Sequence, residues 1–525
     1  MRKLRTIFVA ALVLAAIPST AFASSTQESM FQDDPNLVYG TDAQVNTTLD
    51  QLVALGVDRI RVSVFWKIVA PANDQTIRPV FDATDPAAYP QNLWAPYDRI
   101  VTMAAAHGVA VNFNITSPVP RWAATETPAD RTDLQDTFGP NTDEFGQFVK
   151  ALGTRYSGSY QGLPRVDYWS IWNEPNQAGW LTPQWSPDPR NPKLFVESAP
   201  SIYRNLVAAA WSNLAATGHG ADTVLVGETA PQGVKDFGLS RPLSPLRFLR
   251  RLYCLDDNLN LLKGEEATVR GCPADPATFV AANPGLFHAT GYAHHPYALL
   301  TPPGRKSKSS DDVAMSDLPA LSRELKRIYA RYRQKPQTSR GVPLYLTEYG
   351  YQTKPDPFTV SFSQQAAFIN QAEYIAYKNP NVRAMSQFLL VDDAPTAGVD
   401  PKKDPQLYWR TFQSGLKLLS GKRKPGYAAY ATPIYVTKRS VRRGRATGVF
   451  GLLRGAKPKT GTPAQIQFRG KGRKKWRTLR TVKSTGERNY INTTARPPGN
   501  GSLRLRWVNG TKPLASRAVA VTVRR

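Results

Sequence analysis

Residues 166–175 read VDYWSIWNEP, an apolar run rich in β-branched and aromatic side chains that ends in an amide, Asn173, and a carboxylate, Glu174. Such a run predicts a short buried β-strand that opens into a loop at the asparagine. Residues 343–350, PLYLTEYG, repeat the arrangement, with Glu348 directly after a second apolar run. In barrels of parallel strands, the polar groups at the C-terminal strand ends carry the chemistry. The two glutamates are therefore the first candidates for a functional site.

Short apolar runs alternate with helix-like segments between residues 45 and 420, which is typical of repeated βα units. We expect strands at residues 59–64, 109–114, 167–172, 223–227, 289–293, 344–347 and 384–389, and a first strand near residues 37–39. Helices are expected at residues 45–55, 96–106, 142–155, 200–216, 317–332 and 362–378. Eight such units close into an α/β fold, the (β/α)8 TIM barrel. The alternative, an open doubly wound sheet, usually carries a glycine-rich turn after its first strand, and no such turn occurs here.

The N-terminus has the layout of a secretory leader. Three basic residues, Arg2, Lys3 and Arg5, precede an apolar run at 7–17 and a small-x-small triplet at 21–23. This order predicts a signal peptide over residues 1–23. No later stretch approaches the roughly 20 apolar residues of a membrane helix. We expect a secreted or cell-envelope protein without a transmembrane segment, monomeric, with a barrel domain over residues 24–430.

The chain has two cysteines, Cys254 and Cys272, within one loop-like region. Export to an oxidising compartment favours a disulfide between them. Two unpaired buried thiols are the alternative. Two cysteines without a nearby histidine do not suit a structural zinc site.

Charge divides the chain into two parts. Residues 421–525 contain 27 Lys and Arg against one acidic residue, Glu487, so this segment carries a net charge of +26 out of +27. Its sequence has short apolar runs at 448–450, 464–468, 476–482, 502–507 and 518–523. The alternation of Leu503 and Leu505 with Arg504 and Arg506 predicts one buried face and one basic face. We expect a small all-β, Ig-like sandwich over residues 431–525 that is separable from the barrel.

A strongly basic exported module will bind polyanions, and we interpret it as a retention module for anionic envelope polymers. Nucleic acid would satisfy the charge equally well. Export argues against nucleic acid, and the run at 471–476 is typical of a solvated charged turn.

Residues 45–420 resemble the clan A retaining glycoside hydrolases, the cellulase-like (β/α)8 superfamily. In that superfamily an Asn-Glu pair ends the fourth strand and a second glutamate ends the seventh, as Asn173, Glu174 and Glu348 do here. The resemblance implies that Glu174 is the general acid/base, Glu348 the nucleophile and Asn173 a donor to the sugar 2-hydroxyl. Retaining hydrolysis needs two such carboxyl groups about 5–5.5 Å apart. It implies no cofactor.

Other candidates lie at neighbouring strand ends. Arg61 would be an unpaired charge inside a barrel unless it met a carboxylate, and pairing with Glu348 would keep that group ionised. The superfamily's His-x-Tyr pattern matches His295 and Tyr297, and implies a hydrogen bond from the tyrosine to the nucleophile. His294 is interpreted as a packed or capping residue. The adjacent histidines do not suit a metal, because consecutive side chains on a strand face opposite ways.

Tryptophans near strand ends are candidate sugar-stacking platforms. These are Trp66, Trp122, Trp180 and Trp409, of which Trp122 and Trp180 are the strongest; core burial is the alternative for each. Glu228 ends the fifth predicted strand, where it would either bind substrate hydroxyls or form a structural ion pair.

The sequence thus predicts a secreted retaining glycoside hydrolase that acts on a β-linked poly- or oligosaccharide. A non-catalytic carbohydrate-binding barrel and a transglycosylase of the same fold are the alternatives. The eighth strand lacks the tryptophan that many members carry, and the third lacks the histidine of some cellulases. Both departures leave the sugar and linkage open.

Overall fold

The computed structural model describes residue 24, residues 26–457 and residues 461–525. The predicted signal peptide, residues 1–23, lies outside these residues. No helix in the described part of the chain is long and apolar enough to cross a membrane.

Eight parallel strands close into a barrel in chain order, and the last strand pairs with the first through Glu28 to Gln32 against Ala384 to Phe388. The strands are β1 (Glu28–Gln32), β2 (Arg59–Phe65), β3 (Ala110–Thr116), β4 (Tyr168–Ile171), β5 (Thr223–Thr229), β6 (Gly291–His294), β7 (Leu344–Leu346) and β8 (Val382–Phe388). The predicted TIM barrel and seven of its predicted strands are confirmed.

The predicted first strand is wrong. Residue Leu37 ends a short helix, Asp34–Leu37, and β1 lies earlier, at Glu28–Gln32. The side chain of Asp33 accepts a hydrogen bond from the backbone of Asn36, and a proline occupies the first turn. Both features favour a helix start, so this segment cannot extend as a strand.

A main helix follows each strand. These helices are α1 (Asp42–Ala54), α2 (Gln91–Ala106), α3 (Thr142–Arg155), α4 (Ala199–Leu214), α5 (Pro245–Leu252), α6 (Leu318–Arg331), α7 (Phe362–Lys378) and α8 (Pro425–Ala431). The six predicted helices are confirmed, two of them, Thr142–Arg155 and Phe362–Lys378, with the predicted ends and the other four with shifted ends. Helix α2 was expected to begin at Pro96, but it begins five residues earlier and contains the proline.

The connections carry short additional elements. They are the helices Trp66–Val69, Gly264–Thr268, Pro276–Ala282, Pro284–His288 and Pro405–Tyr408, the 3-10 helices Pro86–Ala88, Arg121–Ala123, Ala129–Leu134 and Met315–Asp317, the π-helical turn Ala215–His219, and an antiparallel hairpin of Trp185–Asp188 and Asn191–Glu197. The predicted disulfide between Cys254 and Cys272 is confirmed, with an S–S distance of 2.03 Å. It closes the loop after α5.

The C-terminal part is a two-sheet β-module, as predicted. Its strands are β9 (Ile434–Val436), β10 (Ser440–Arg442), β11 (Thr447–Leu452), β12 (Pro463–Gly470), β13 (Arg477–Lys483), β14 (Tyr490–Ala495), β15 (Gly501–Asn509), β16 (Lys512–Ala515) and β17 (Val519–Arg524). One sheet has the order β9-β11-β14; the other has the order β10-β17-β15-β12-β13, with β16 added to β15. Leu503, Leu505 and Trp507 are buried in its core, whereas Arg504 and Arg506 are partly exposed. The predicted alternation on β15 is confirmed.

The β-module packs against the N-terminal end of the barrel strands. The buried side chain of Arg454 donates to Ser29 on β1 and to Glu373 on α7, and it lies over the ring of Tyr430. A second ion pair joins Arg488 to Asp58, the residue before β2. An apolar cluster that includes Tyr377, Phe450, Leu452 and Tyr490 is buried along the same contact. The two parts are therefore joined by buried charge and apolar surface, contrary to the expectation of separable units.

Candidate active site

The two predicted glutamates face each other at the C-terminal end of the barrel. Glu174 lies three residues beyond β4, and Glu348 lies two residues beyond β7. One carboxylate oxygen of each residue and one ring nitrogen of His295 all lie within 4.8 Å of one another. Both glutamates line a cleft of about 870 Å³.

Arg61 donates hydrogen bonds to several side chains at the floor of this site. Its side chain is fully buried, and Nη1 donates to Glu348 Oε1 at 2.7 Å. Nη2 donates to Asn173 Oδ1 at 2.6 Å and to Glu228 Oε2 at 3.1 Å. Burial opposes the charge of Arg61, but Glu228 and Glu348 raise its pKa above the ordinary value. The predicted pairing of Arg61 with Glu348 is confirmed.

His295 lies between two carboxylates. Its Nδ1 is 2.9 Å from Glu174 Oε1, and its Nε2 is 2.7 Å from Glu228 Oε2. Burial disfavours the imidazolium form, but the carboxylates of Glu348, Glu174 and Glu228 raise the pKa of the ring to about 10. At neutral pH both nitrogens therefore carry protons and donate, each to one carboxylate.

This protonation also bears on metal binding. Glu174, His295 and Glu348 are close enough to share an ion. A metal ligand must offer a neutral nitrogen with a free lone pair, and an imidazolium offers none. Binding of a metal ion at this cluster would therefore require His295 to lose a proton.

Glu228 is a buried partner of this network. The structure places it beneath the cleft with no exposed surface, so the predicted contact with substrate hydroxyls is wrong. Its carboxylate accepts from Thr347 Oγ1 at 2.7 Å, besides Arg61 and His295. Burial alone would raise the pKa of Glu228, but Arg61 and His295 lower it to about 2. Of the two alternatives for Glu228, the structural ion pair is the observed one.

Tyr297 donates its hydroxyl to Glu348 Oε2 at 3.0 Å. Burial and the nearby carboxylates keep the pKa of this phenol well above its usual range, so it remains a donor. His294 is also buried, and burial lowers its pKa to about 4. It contacts Thr229 and the carbonyl of Val313, so it is the packed residue that the sequence predicts.

Comparison with known proteins identifies the family. The family model described as Cellulase (glycosyl hydrolase family 5) matches residues 19–381, which is more than half of the chain. The chain belongs to this family. A search of curated proteins found no match.

Similar solved structures are glycoside hydrolases too. One is a family 39 glycoside hydrolase from Bacteroides cellulosilyticus WH2, with 13% identity and a TM-score of 0.48 over 90% of this chain and 81% of that chain. Another is GH5_18 from Streptomyces cattleya in complex with GlcNAc, with 16% identity and a TM-score of 0.45 over 78% of this chain and 79% of that chain. The family 5 protein described here is a glycosidase with a (β/α)8 barrel.

The predicted tryptophan platforms separate into two groups. Trp180 lines the cleft of the family 5 barrel, where its ring stacks on Phe65 at 6.4 Å between ring centres. Trp122 packs edge-on against Trp66 and donates to the carbonyl of Pro71, so it lies outside the cleft lining. Trp66 is fully buried in the core, and Trp122 is partly buried against it. The platform role predicted for Trp122 and Trp66 is therefore wrong.

Trp409 also lies outside the cleft lining. It follows the short helix Pro405–Tyr408 and packs edge-on against Tyr408 at 4.9 Å. The platform role predicted for it is wrong as well, because the loop after β8 places the ring against its own neighbour.

Several cleft residues were missed by the sequence prediction. On the polar side these are Gln32, Asp34, Ser63 and Gln177. Burial raises the pKa of Asp34 to about 6, against the opposing hydrogen bonds from Ser63 and the charge of Arg61. Gln32 ends β1 and Asp34 follows two residues later, so a correct position for the first strand would have identified them as strand-end residues.

The backbone is strained at the strand ends that carry the site. The φ angle is 65° at Trp172, 36° at Glu174 and 46° at Glu228, in the left-handed region that disfavours residues with a side chain. Such conformations persist where the surrounding contacts enforce them, and they cluster at functional sites. Here the Glu174 amide donates to the Glu228 carbonyl at 3.0 Å, which links the two turns.

Proposed function

We propose that the protein cleaves O-glycosidic bonds of a β-linked poly- or oligosaccharide or related glycoside by double displacement. The observation that carries the proposal is the close approach of the Glu174 and Glu348 carboxylates, with oxygens within 4.8 Å. Retaining enzymes hold these groups about 5–5.5 Å apart, whereas inverting enzymes leave about 6.5–9.5 Å for a water. The spacing supports retention.

Glu348 acts as the nucleophile in the first step. Arg61 and Tyr297 donate to its two oxygens, which fixes the orientation of the carboxylate. The carboxylate attacks the anomeric carbon and the bond to the leaving oxygen breaks. Glu174 delivers its proton to that oxygen, and because His295 occupies Oε1, the proton is delivered from Oε2.

In the second step Glu174 acts as a base. It takes a proton from water, whose oxygen attacks the anomeric carbon and breaks the ester to Glu348. The sugar leaves with its original configuration, and Glu174 again carries its proton. Asn173 supports both steps, since Arg61 holds its Oδ1 and leaves Nδ2 to donate to the sugar 2-hydroxyl.

Variants of the two glutamates test the assignment. Glu348→Ala should abolish turnover without lowering the melting temperature, and azide should restore turnover by forming a glycosyl azide of inverted configuration. Glu174→Ala should lose least activity on substrates with good leaving groups. Glu126→Ala, at an exposed glutamate outside the cleft lining, is the matched control. Full activity in Glu348→Ala would contradict the assignment of Glu348 as the nucleophile, whereas carbohydrate binding without turnover in the wild type would favour a non-catalytic role.

Transfer of the glycosyl group to a sugar instead of water would use the same two glutamates. Product analysis in the presence of an added sugar acceptor distinguishes the two, because transfer yields a new glycoside and hydrolysis yields the free sugar.

We also propose that the protein is exported and retained by its basic β-module on anionic envelope polymers. The support is the net charge of +26 over residues 421–525 and a cluster of cations on one face of the module. Arg469 and Arg504 flank the ring of Trp476 at 4.7 and 4.2 Å. Binding to a polyphosphate column should weaken as salt rises. It should also weaken in Arg504→Gln with Arg506→Gln, whereas salt-insensitive binding would contradict the proposal.

A further inference from the structure

The mouth of the active-site cleft is unusually apolar for a site that binds sugars. Four successive strand-end loops contribute Val234, Leu299, Leu300, Phe358 and Phe412, which we call the apolar rim. Each of these side chains is between 45% and 57% exposed. Exposed apolar groups that form a contiguous surface mark interaction sites.

The chemistry of the rim differs from that of a sugar subsite. Sugars stack on flat rings such as Trp180 and hydrogen-bond to polar groups, which the cleft floor supplies through Gln32, Asp34 and Ser63. Val234, Leu299 and Leu300 are branched aliphatic side chains that offer neither a flat face nor a hydrogen bond, and the two rim phenylalanines carry no polar group. They gain free energy only by removing apolar surface of a ligand from water.

The rim lies on the path of the leaving group. The loop that carries Glu174 is joined to the loop of Val234 by a hydrogen bond from Gln177 Nε2 to the Gln232 carbonyl, at 2.8 Å. Leu299 and Leu300 follow two and three residues after Tyr297, which contacts the nucleophile. A leaving group that departs toward Glu174 and extends out of the floor therefore meets the rim.

We propose that the enzyme acts on glycosides whose leaving group is aliphatic and lipid-like, with the sugar on the polar floor and the chain along the apolar rim. This inference rests on the proposed glycosidase mechanism and names the class of substrate for the same site. It requires no further group, because the leaving oxygen of an alkyl glycoside takes its proton from Glu174 and departs as an alcohol.

A chain-length series tests the proposal. The sugar is chosen first from a panel of 4-methylumbelliferyl β-glycosides, and kcat/KM is then measured for its methyl, hexyl, octyl and decyl β-glycosides below their micelle concentrations. Full burial of one methylene corresponds to about a fourfold change in an equilibrium constant, and a wall half open to water gives about twofold. We expect kcat/KM to rise about twofold per methylene between the hexyl and decyl compounds.

Variants of the rim residues test whether the dependence of kcat/KM on chain length arises at the apolar rim. In Leu300→Ser with Phe358→Ser, the dependence on chain length should fall toward zero. Ile77→Ser, at an exposed aliphatic residue outside the cleft lining, should keep the wild-type dependence. A second double variant, Leu299→Asn with Phe412→Ser, provides an independent test in case the first one misfolds. Asparagine is chosen at position 299 because it tolerates the left-handed backbone there. A flat series in the wild type, or an unchanged dependence in both double variants, would overturn the inference.

A binding measurement separates this inference from the mechanism. N-phenyl-1-naphthylamine, a neutral apolar dye, is bound to the wild type and to Glu348→Ala, and decyl β-glucoside is added as competitor. Displacement from these two proteins but not from the rim variants supports the apolar subsite even if no glycoside in the panel is hydrolysed. Equal displacement from all proteins, or none from the wild type, refutes it. Absence of turnover in the wild type, with intact displacement of the dye, would count against the proposed function alone.

Discussion

The buried ion pair between Arg454 and Glu373 makes the stability of the barrel depend on the β-module. Both side chains are 6% exposed, and the arginine also donates to Ser29 and covers the ring of Tyr430. Burial already raises the pKa of Glu373, against the opposing charge of the arginine. Removing the arginine leaves a carboxylate in an apolar contact without its counter-charge. Breaking such a pair typically costs about 3–5 kcal/mol.

We therefore expect Arg454→Met to lower the free energy of unfolding by about 3–5 kcal/mol, against a typical total of about 5–15 kcal/mol. At about 2 °C per kcal/mol for a large domain, the melting temperature falls by roughly 6–10 °C. Arg488→Met is the matched control, because Arg488 and its partner Asp58 are each more than a quarter exposed. Such pairs contribute at most about 1 kcal/mol. Thermal melts of the two variants by circular dichroism compare the losses directly.

The pH dependence gives a second check with a defined sign. An unpaired, buried Glu373 has a folded-state pKa above its unfolded value, so the folded form favours the protonated acid. The destabilisation of Arg454→Met is then absent below the unfolded pKa and grows as the pH rises toward the folded pKa. The double variant Arg454→Met with Glu373→Met should recover most of the loss, since apolar replacement of a buried pair is often neutral. Equal melting temperatures for Arg454→Met and Arg488→Met would refute the reasoning.

Three further predictions concern the site and the loop after α5. Glu228→Gln keeps the size of the side chain but removes a charge that raises the pKa of His295, so the pH at which the His295 ring loses its proton, followed by NMR, should fall; an unmoved midpoint contradicts this. In the wild type that midpoint should lie near pH 10; a midpoint near 7 would contradict the assignment. Cys254→Ser with Cys272→Ser should lower the free energy of unfolding by about 3 kcal/mol, measured by urea denaturation; an unchanged midpoint would show that the disulfide adds no stability.

Most of the barrel could be predicted because its strands are short runs rich in apolar and β-branched residues, bounded by polar loops. Strand β1 is the exception, since its sequence ESMFQ begins and ends with polar residues and gives no such signal. The Glu28 side chain pairs with Arg59 from the neighbouring strand, and Gln32 accepts from Arg61. Both contacts join residues about 30 positions apart, so local pattern alone could not reveal them.

The site shows the same division between local and long-range information. Glu174 and Glu348 could be predicted because each directly follows an apolar run. The sequence could not predict that Trp180 lines the cleft and Trp122 does not. Either ring can be buried, and the packing of the folded barrel determines which one is. The apolar rim depends on four loops that meet only in the folded barrel. Apart from Leu299 and Leu300, no two residues of the apolar rim are neighbours in the sequence.

The β-module and the cleft lie at opposite ends of the barrel. It packs at the N-terminal end of the strands, through contacts at Ser29 and Asp58, whereas the cleft opens at the C-terminal end beyond Glu174 and Glu348. A strand of six residues spans about 20 Å, so the two faces lie on opposite ends of the barrel. Under the proposed functions, binding of a polyanion by the module and cleavage of a glycoside in the cleft would therefore use separate surfaces of the protein.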